Sequence, residues 1–409
     1  MQFVRVLCVA FIFCRAMLAS CFLMSVPMTR NESHDRNLSI QISSRDNVDN
    51  QPEDISPILK LASAHTASQA LYAIVRLGIP DILGNNTLPL STIASKVGPR
   101  TNKDALLRTM RLLTTVDILT ESCSPSPTSD EISFHLTKTG SMLQTNHPSC
   151  MDSCVLHWLE APLWNSLLEL PDFISGATKQ LPFETANDGI SSDCYYSVED
   201  HPESLQHANA FVRQIYDGET HAVLNGFNWK SLAPGTRVLD IGGHHGKVVG
   251  SIKKNFPHIE ALSLDLPVVI DSAPSAPDGV TLVKGNILDS STIPSCDVIL
   301  LKHFLDRCMW DEEQSIDILK SCHQALSPSD PDSKVIIAET VVPDIGETEP
   351  NQNIPLYMDA LYMVVGRERQ RTKSEWQDLA NKSGFQVDSI TATNSPTCSI
   401  IVLTKNLTT

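Results

Sequence analysis

A chain of 409 residues, 42% of them hydrophobic and 19% charged, has the balance of a globular protein that buries a large core in about two to three domains. Its formal net charge of −16 argues against a nucleic-acid partner, whose phosphates it would repel, and leaves other partners open because acidic surfaces mostly serve solubility. Three of the 11 cysteines (Cys8, Cys14, Cys21) lie near the N-terminus and the rest are scattered, with no paired Cys/His ligands at zinc spacing, so they read as reduced thiols in a reducing compartment.

Phe3 to Met24 is apolar apart from Arg5 and Arg15, and no acidic residue occurs before Glu32. The apolar runs are short, so residues 1–25 are expected to be a targeting presequence and not a stable membrane span. Ala19-Ser-Cys-Phe22 resembles the Ala-Ser-Ala-Phe cleavage motif of plastid presequences in algae with secondary plastids. A plastid is the preferred destination, with the mitochondrion and the secretory pathway as alternatives; the sequons at Asn31, Asn37, Asn85, Asn381 and Asn406 matter only in the last case. Residues 26–54 are polar and are expected to be a disordered linker.

Residues 55–150 read as mainly helical. Ile58, Leu59, Leu61 and Ala62 open an apolar helix face that continues through Ala70, Leu71 and Ile74 and ends at Gly78-Ile-Pro80. Leu90–Gly98 is a short helix with Ser91 as candidate N-cap, and Asp104–Leu119 a longer one carrying Leu107, Met110, Leu113 and Val116. Ile132–Leu136 alternates as a strand, and Thr137–Gly140 turns. Helices followed by a strand pair predict a winged helix. The acidic balance and the lack of a basic recognition helix point to a dimerisation role for it.

Residues 151–230 read as a helical connector and substrate lid, rich in aromatic residues. From residue 231 to 409 strands and helices alternate: Val238–Ile241, Ala261–Asp265, Thr281–Val283, Val298–Leu301 and Lys334–Ala338 are strands, and two more run between Gly384 and Leu403. This α/β pattern predicts a doubly wound, Rossmann-like sheet with helices on both faces.

The first of these strands runs into Asp240-Ile-Gly-Gly-His-His-Gly246, and the second ends on Asp265 about 20 residues later, where an acid pairs with a ribose diol. Gly-x-Gly-x-x-Gly is absent, so the loop fits a nucleoside cofactor without phosphates. His244 and His245 lack the carboxylates of a metal site, and no metal is expected.

Together with this loop, Asp265-Leu-Pro267, Gly285-Asn-Ile287, Ile293-Pro, Leu301-Lys302, Ala338-Glu-Thr-Val-Val-Pro343, Gly366-Arg-Glu-Arg369 ahead of Trp376, and Phe211-Val-Arg-Gln-Ile215 resemble the motifs of the caffeate- and hydroxyindole-type O-methyltransferases over Ile55 to Thr404. The resemblance implies a class I methyltransferase domain behind a winged-helix dimerisation domain, a homodimer, a small-molecule acceptor and S-adenosyl-L-methionine as cofactor. It places the cofactor on Asp240, Gly242, Gly243, His244, Asp265, Leu266, Asn286, Ile287 and Lys302. Two of these depart from the pattern: His244 replaces a glycine, and Asn286 replaces an aspartate that accepts from the adenine amine.

The family deprotonates a phenol with a histidine in Lys-x-x-x-His-Asp-Trp, oriented by glutamate. Here Asp306 stands in that place counting from Lys302, and Cys308 counting back from Ile318-Leu-Lys; Glu339 and Glu368 are the matching glutamates. A thioether sulfur has no proton to lose, so a chain without the base resembles the methylthiohydroxybutyrate S-methyltransferases of dimethylsulfoniopropionate synthesis, which act on 4-methylthio-2-hydroxybutyrate, with alignment carrying catalysis. One alternative is O-methylation of a phenol or hydroxyindole with Asp306 or His303 as base, although His303 is expected to be a packed residue. The other is a degenerate homologue that binds cofactor only. His157, Arg213 and Arg307 are candidates to hold the acceptor's carboxylate, and Trp164, Phe211, Ile215, Leu361 and Tyr362 complete the candidate acceptor pocket.

Overall fold

The computed structural model describes residues 54–123, 132–196, 201–307, 309–327, 332–348, 354–366 and 369–406. The expected presequence and nearly all of the expected linker lie outside these residues, as do Cys308 and Glu368.

A three-stranded antiparallel sheet, β1 (Leu88–Pro89), β2 (Leu119–Cys123) and β3 (Ile132–Leu136), is arranged β1-β3-β2 against the helices Ser56–Arg76, Leu90–Val97 and Lys103–Thr114. Ile74, Ile79, Leu83, Ile93, Met110, Leu113, Leu119 and Phe134 form its core, each no more than 1% exposed. This is the separate N-terminal domain that the sequence predicts.

Four sequence expectations change here. Ser91 does not cap its helix, which starts at Leu90 behind an extended Pro89. The next helix stops at Thr114, capped at its start by the Asn102 side chain, because Leu119 is already in β2; Val116 is left exposed. Thr137 does not merely turn: its hydroxyl caps a short helix, Lys138–Ser141. Ile58, Leu59 and Leu61 remain exposed on the first helix instead of entering the core.

The second sheet has seven strands: β4 (Arg237–Ile241), β5 (Glu260–Asp265), β6 (Val280–Lys284), β7 (Val298–Lys302), β8 (Lys334–Glu339), β9 (Phe385–Ala392) and β10 (Ser399–Lys405), in the order β6-β5-β4-β7-β8-β10-β9. β4 to β8 pair in parallel, and β9 and β10 form an antiparallel hairpin at the edge beside β8. Period-two alternation sorts each apolar strand onto both faces. Leu239, Ile241, Ile299, Leu301, Val335 and Ile337 pack with Ile318, Leu319 and Leu379 on one side; Val238, Val298, Leu300, Ile336 and Ala338 pack with Val249, Ile252, Ala222 and Val223 on the other. The fold is a Rossmann-like α/β domain with an antiparallel edge hairpin. Its strand order reverses between β4 and β7, so the crevice for a ligand opens at the C-terminal ends of these strands.

A 25-residue helix, Pro202–Gly226, links the connector to this sheet. Its buried stripe of Glu219, Ala222 and Val223 follows the helical i, i+3, i+4 spacing, and a carboxylate in such a stripe needs a buried partner. No helix among the described residues is long and apolar enough to cross a membrane.

Candidate functional site

The loop after β4 is built for close approach. Gly242 and Gly246 have φ of +70° and +80°, a region L side chains rarely adopt. A Cβ on Gly242 would lie 2.5 Å from the Phe304 ring, and one on Gly243 would lie 2.5 Å from Ser263 Oγ and 2.6 Å from the Asp240 carboxyl. His244 takes the same left-handed conformation at φ +55° without a glycine's freedom, and such strain in a non-glycine residue concentrates at functional sites. Its N–H donates to Asp265 Oδ2 at 3.0 Å, while Leu266 N–H donates to Oδ1 at 2.8 Å. Asp265 thus ties the loop to the end of β5 and keeps lone pairs for further donors. Asn286, after β6, uses its side-chain oxygen to accept from Leu288 N–H at 3.0 Å, and Ile287 beside it is buried.

Asp240 is buried, and no described residue hydrogen-bonds its Oδ2. Burial pushes its carboxyl up to about 7, against the pull of Lys302. Burial also lowers the His244 imidazole, with His245 adding to the effect and Asp265 opposing it. The orphaned Asp240 oxygen, the glycines that let the loop pack tightly against Phe304, Ser263 and Asp240, and the acid at the end of β5 fit a cationic nucleoside such as S-adenosylmethionine. Among the described residues no group of three or more His, Cys, Asp and Glu side chains is arranged to hold a metal.

The ends of β7 and β8 hold a charge network that the sequence did not announce. Lys302, expected on the cofactor, places Nζ 3.0 Å from Glu219 Oε2. His303, expected to be a packed residue, donates from Nε2 to the same oxygen at 2.7 Å, and its Nδ1 lies 3.3 Å from Glu339 Oε2. Glu219 Oε1 accepts from Thr397 Oγ1 at 2.8 Å, and Glu339 Oε1 from Leu305 N–H at 3.0 Å. Burial opposes the His303 charge, but Glu219 and then Glu339 outweigh it and hold the imidazolium up to about 9. Burial likewise opposes Glu219, yet His303 and Lys302 bring it down to about 2. His303 sits at φ +46°, held there by the Nε2 bond to Glu219, by the ion pair of Nδ1 with Glu339, and by its own N–H, which donates to Ala338 O at 2.9 Å.

The sign of the linkage follows from these shifts. A histidine raised from 6.5 to about 9 contributes stability that is complete below 6.5 and lost as pH rises through 9. Unfolding free energy is therefore expected to fall over that window, and His303→Asn to flatten the fall. Urea titrations at a series of pH values read it, and an unchanged slope in the variant contradicts the paired imidazolium.

Asp306 begins the turn after Leu305, and its carbonyl accepts from Met309 and Trp310 N–H. Arg371, 2% exposed, holds the turn in place: it donates to Leu305 O and to Ser315 Oγ, the latter at 2.9 Å, and lies over the Trp376 ring at 5.1 Å. Of the proposed acceptor ligands, Arg307 is engaged elsewhere, 3.5 Å from Glu375 and 3.7 Å from Glu312, and Arg213 is exposed on the long helix. His157 stacks on Phe211 at 5.4 Å, whereas Trp164, Ile215, Leu361 and Tyr362 are half-buried. Glu219, Arg371 and Thr397 escaped sequence reasoning. The signal for Glu219 was available, as an acid in an apolar helical stripe with Lys302 and His303 lacking a counter-charge.

An O-methyltransferase domain model matches residues 167–386 and an O-methyltransferase dimerisation domain model matches residues 59–146. The chain is 30% identical over 348 residues to desmethylxanthohumol 6'-O-methyltransferase from Humulus lupulus, covering 82% of this chain and 94% of that one. It is 28% identical over 351 residues to anthranilate N-methyltransferase from Ruta graveolens, covering 83% and 90%. Among solved structures, CalO1, a methyltransferase in calicheamicin biosynthesis in its SAH-bound form, superposes with a TM-score of 0.72 at 22% identity, over 88% of this chain and all of that one. Human N-acetylserotonin methyltransferase in complex with SAM gives 0.65 at 17%, over 87% and 99%.

Proposed function

The chain belongs to the S-adenosylmethionine-dependent O-methyltransferase family, and from that premise we propose that it methylates the sulfur of a small thioether acid, 4-methylthio-2-hydroxybutyrate, in dimethylsulfoniopropionate synthesis. The observation that carries this is the state of His303. The histidine at the end of β7 is pinned between two carboxylates and protonated up to about 9, so at neutral pH it has no lone pair with which to accept a phenolic proton. A neutral thioether needs none.

S-adenosylmethionine supplies an activated methyl on a sulfonium. Gly242, Gly243, Asp265, Leu266 and Ile287 would hold its nucleoside part, with Asn286 beside the base and Asp240 and His244 near its amino-acid part. Lys302 supports this site through Glu219 instead of reaching out of it. The chain's task is then to align the acceptor sulfur in line with that methyl and to exclude water, since the new C–S bond forms as the old one breaks with no proton moved. Glu219 and Glu339 leave the cationic sulfonium product in a field that His303 and Lys302 only balance. The dimerisation domain supports a homodimer, with the exposed Ile58, Leu59 and Leu61 as part of its apolar surface. A plastid destination is supported by the apolar, acid-free N-terminal segment together with its Ala19-Ser-Cys-Phe22 motif.

A second acceptor class, a phenolic hydroxyl, is favoured by the relatives, one of which is named for 6'-O-methylation. Asp306 separates the two. Asp306→Asn is expected to leave kcat for the thioether acid within about 3-fold of the parent, whereas loss of a general base costs roughly 100- to 10,000-fold. Steady-state kinetics with both acceptors at neutral pH reads the difference: a thioether rate that falls in the larger range contradicts proton-free transfer, and such a loss confined to a phenol makes Asp306 a base and the acceptor a hydroxyl.

A further inference from the structure

Away from the strand ends, the helix Asp152–Leu159 packs on Pro202–Gly226 around a second polar cluster. Its centre is Glu160, only 7% exposed. Glu160 Oε2 accepts from Ser204 Oγ at 3.1 Å and faces His207 Nδ1 at 3.4 Å. Glu160 Oε1 and His157 Nδ1 are 3.6 Å apart, too far to bond one another. These two atoms and the Tyr196 hydroxyl are buried, and no described residue hydrogen-bonds any of them. The surroundings are aromatic: His157 meets Tyr196 edge-on at 5.0 Å and stacks on Phe211, against which Trp158 also packs at 5.2 Å.

A buried polar atom without a partner costs about 1–3 kcal/mol. Three in one place imply a partner from outside the chain. Its chemistry follows from theirs: Glu160 Oε1 only accepts, the Tyr196 hydroxyl does either, and the imidazole nitrogen does either according to tautomer. A hydroxyl satisfies all three roles, donating to Glu160 and accepting from Tyr196 or His157. A purely apolar or phenyl-faced group satisfies none. The place is also suitable. Phe211 and Glu219 lie on the same helix, about 12 Å apart at 1.5 Å per residue, a span that side chains from both ends and a four-carbon acceptor together fill.

We infer that Glu160, His157 and Tyr196 form an acceptor-recognition subsite that holds the 2-hydroxyl of a small hydroxy acid, selecting hydroxylated thioether acids over those without the hydroxyl. This rests on the thioether reading above and deepens it. His157 and His207 flank the carboxylate, one beside each Glu160 oxygen.

The test compares kcat/KM for 4-methylthio-2-hydroxybutyrate and 4-methylthiobutyrate at saturating S-adenosylmethionine, with the full chain and with Glu160→Gln and Tyr196→Phe. The parent is expected to prefer the hydroxy acid by at least ~100-fold, since a site built to bond a hydroxyl rejects the analogue lacking it. In both variants the preference is expected to fall at least ~10-fold through a higher KM for the hydroxy acid, with the deoxy acid little changed. A purely structural cluster would lower both substrates alike. Should Glu160→Gln fail to fold, Tyr196→Phe carries the test. A parent that methylates both acids equally, or variants that keep the preference, overturn the subsite and leave S-methylation standing. A parent that methylates no thioether overturns both.

Discussion

Glu219→Ala is expected to destabilise the protein by about 3–5 kcal/mol, the cost of removing one partner from a buried ion pair. The side chain is 2% exposed and serves three donors at once, Lys302, His303 and Thr397. Its loss removes the counter-charge shared by two cations at the end of β7, 6% and 12% exposed, and leaves Glu339 beside His303. The pull that holds the His303 proton up to about 9 is then weakened, and its strained backbone will lose one of the bonds that hold it. Glu219→Gln, which keeps a hydrogen-bonding oxygen, is expected to cost less, and adding His303→Asn to Glu219→Ala is expected to cost less than the sum of the two single changes because the partners are coupled. Urea unfolding of the parent and the four variants at one pH reads these values. A Glu219→Ala loss below about 1 kcal/mol, the range of exposed pairs, contradicts the network.

The second large effect falls on the cofactor. Gly243→Ala puts a Cβ 2.5 Å from Ser263 Oγ and 2.6 Å from the Asp240 carboxyl, so the loop that begins the crevice has to move. Affinity for S-adenosylmethionine is expected to drop by at least ~100-fold, about 2.7 kcal/mol. Gly235→Ala is the control. Its φ is +85°, which strains any L side chain, but nothing lies within 4 Å of an added Cβ, so it is expected to cost about 1 kcal/mol of stability and leave binding intact. Calorimetric titration of both variants checks the contrast, and equal loss of binding in the two removes the close-approach role of Gly243.

The strands of the large sheet were legible because each buried strand is a dense run of branched apolar residues, as in Val298-Ile-Leu-Leu301, and because the glycine loop and Asp265 are separated as a crevice at the strand ends requires. The reversal between β4 and β7 and the antiparallel hairpin β9–β10 depend on pairings far apart in the chain, which no local pattern carries. Helix limits failed where a competing element intervened: Leu119 belongs to β2, so the helix before it ends at Thr114. Within the site, the missing base was visible as an absent histidine, but its meaning was not. Only the fold brings Glu219, 84 residues before His303 in the chain, to 2.7 Å from the ring, and that contact turns a histidine expected to be packing into a buried cation. The same holds for Glu160 and His207, 47 residues apart.

The direct test of base-free sulfur methylation is a competition in one tube: purified protein, methyl-labelled S-adenosylmethionine, and equal concentrations of 4-methylthio-2-hydroxybutyrate and a phenolic acceptor at neutral pH. With His303 protonated between Glu219 and Glu339, the label is expected on the thioether acid, as a sulfonium, and not on the phenol. Label on the phenol alone would contradict the assignment.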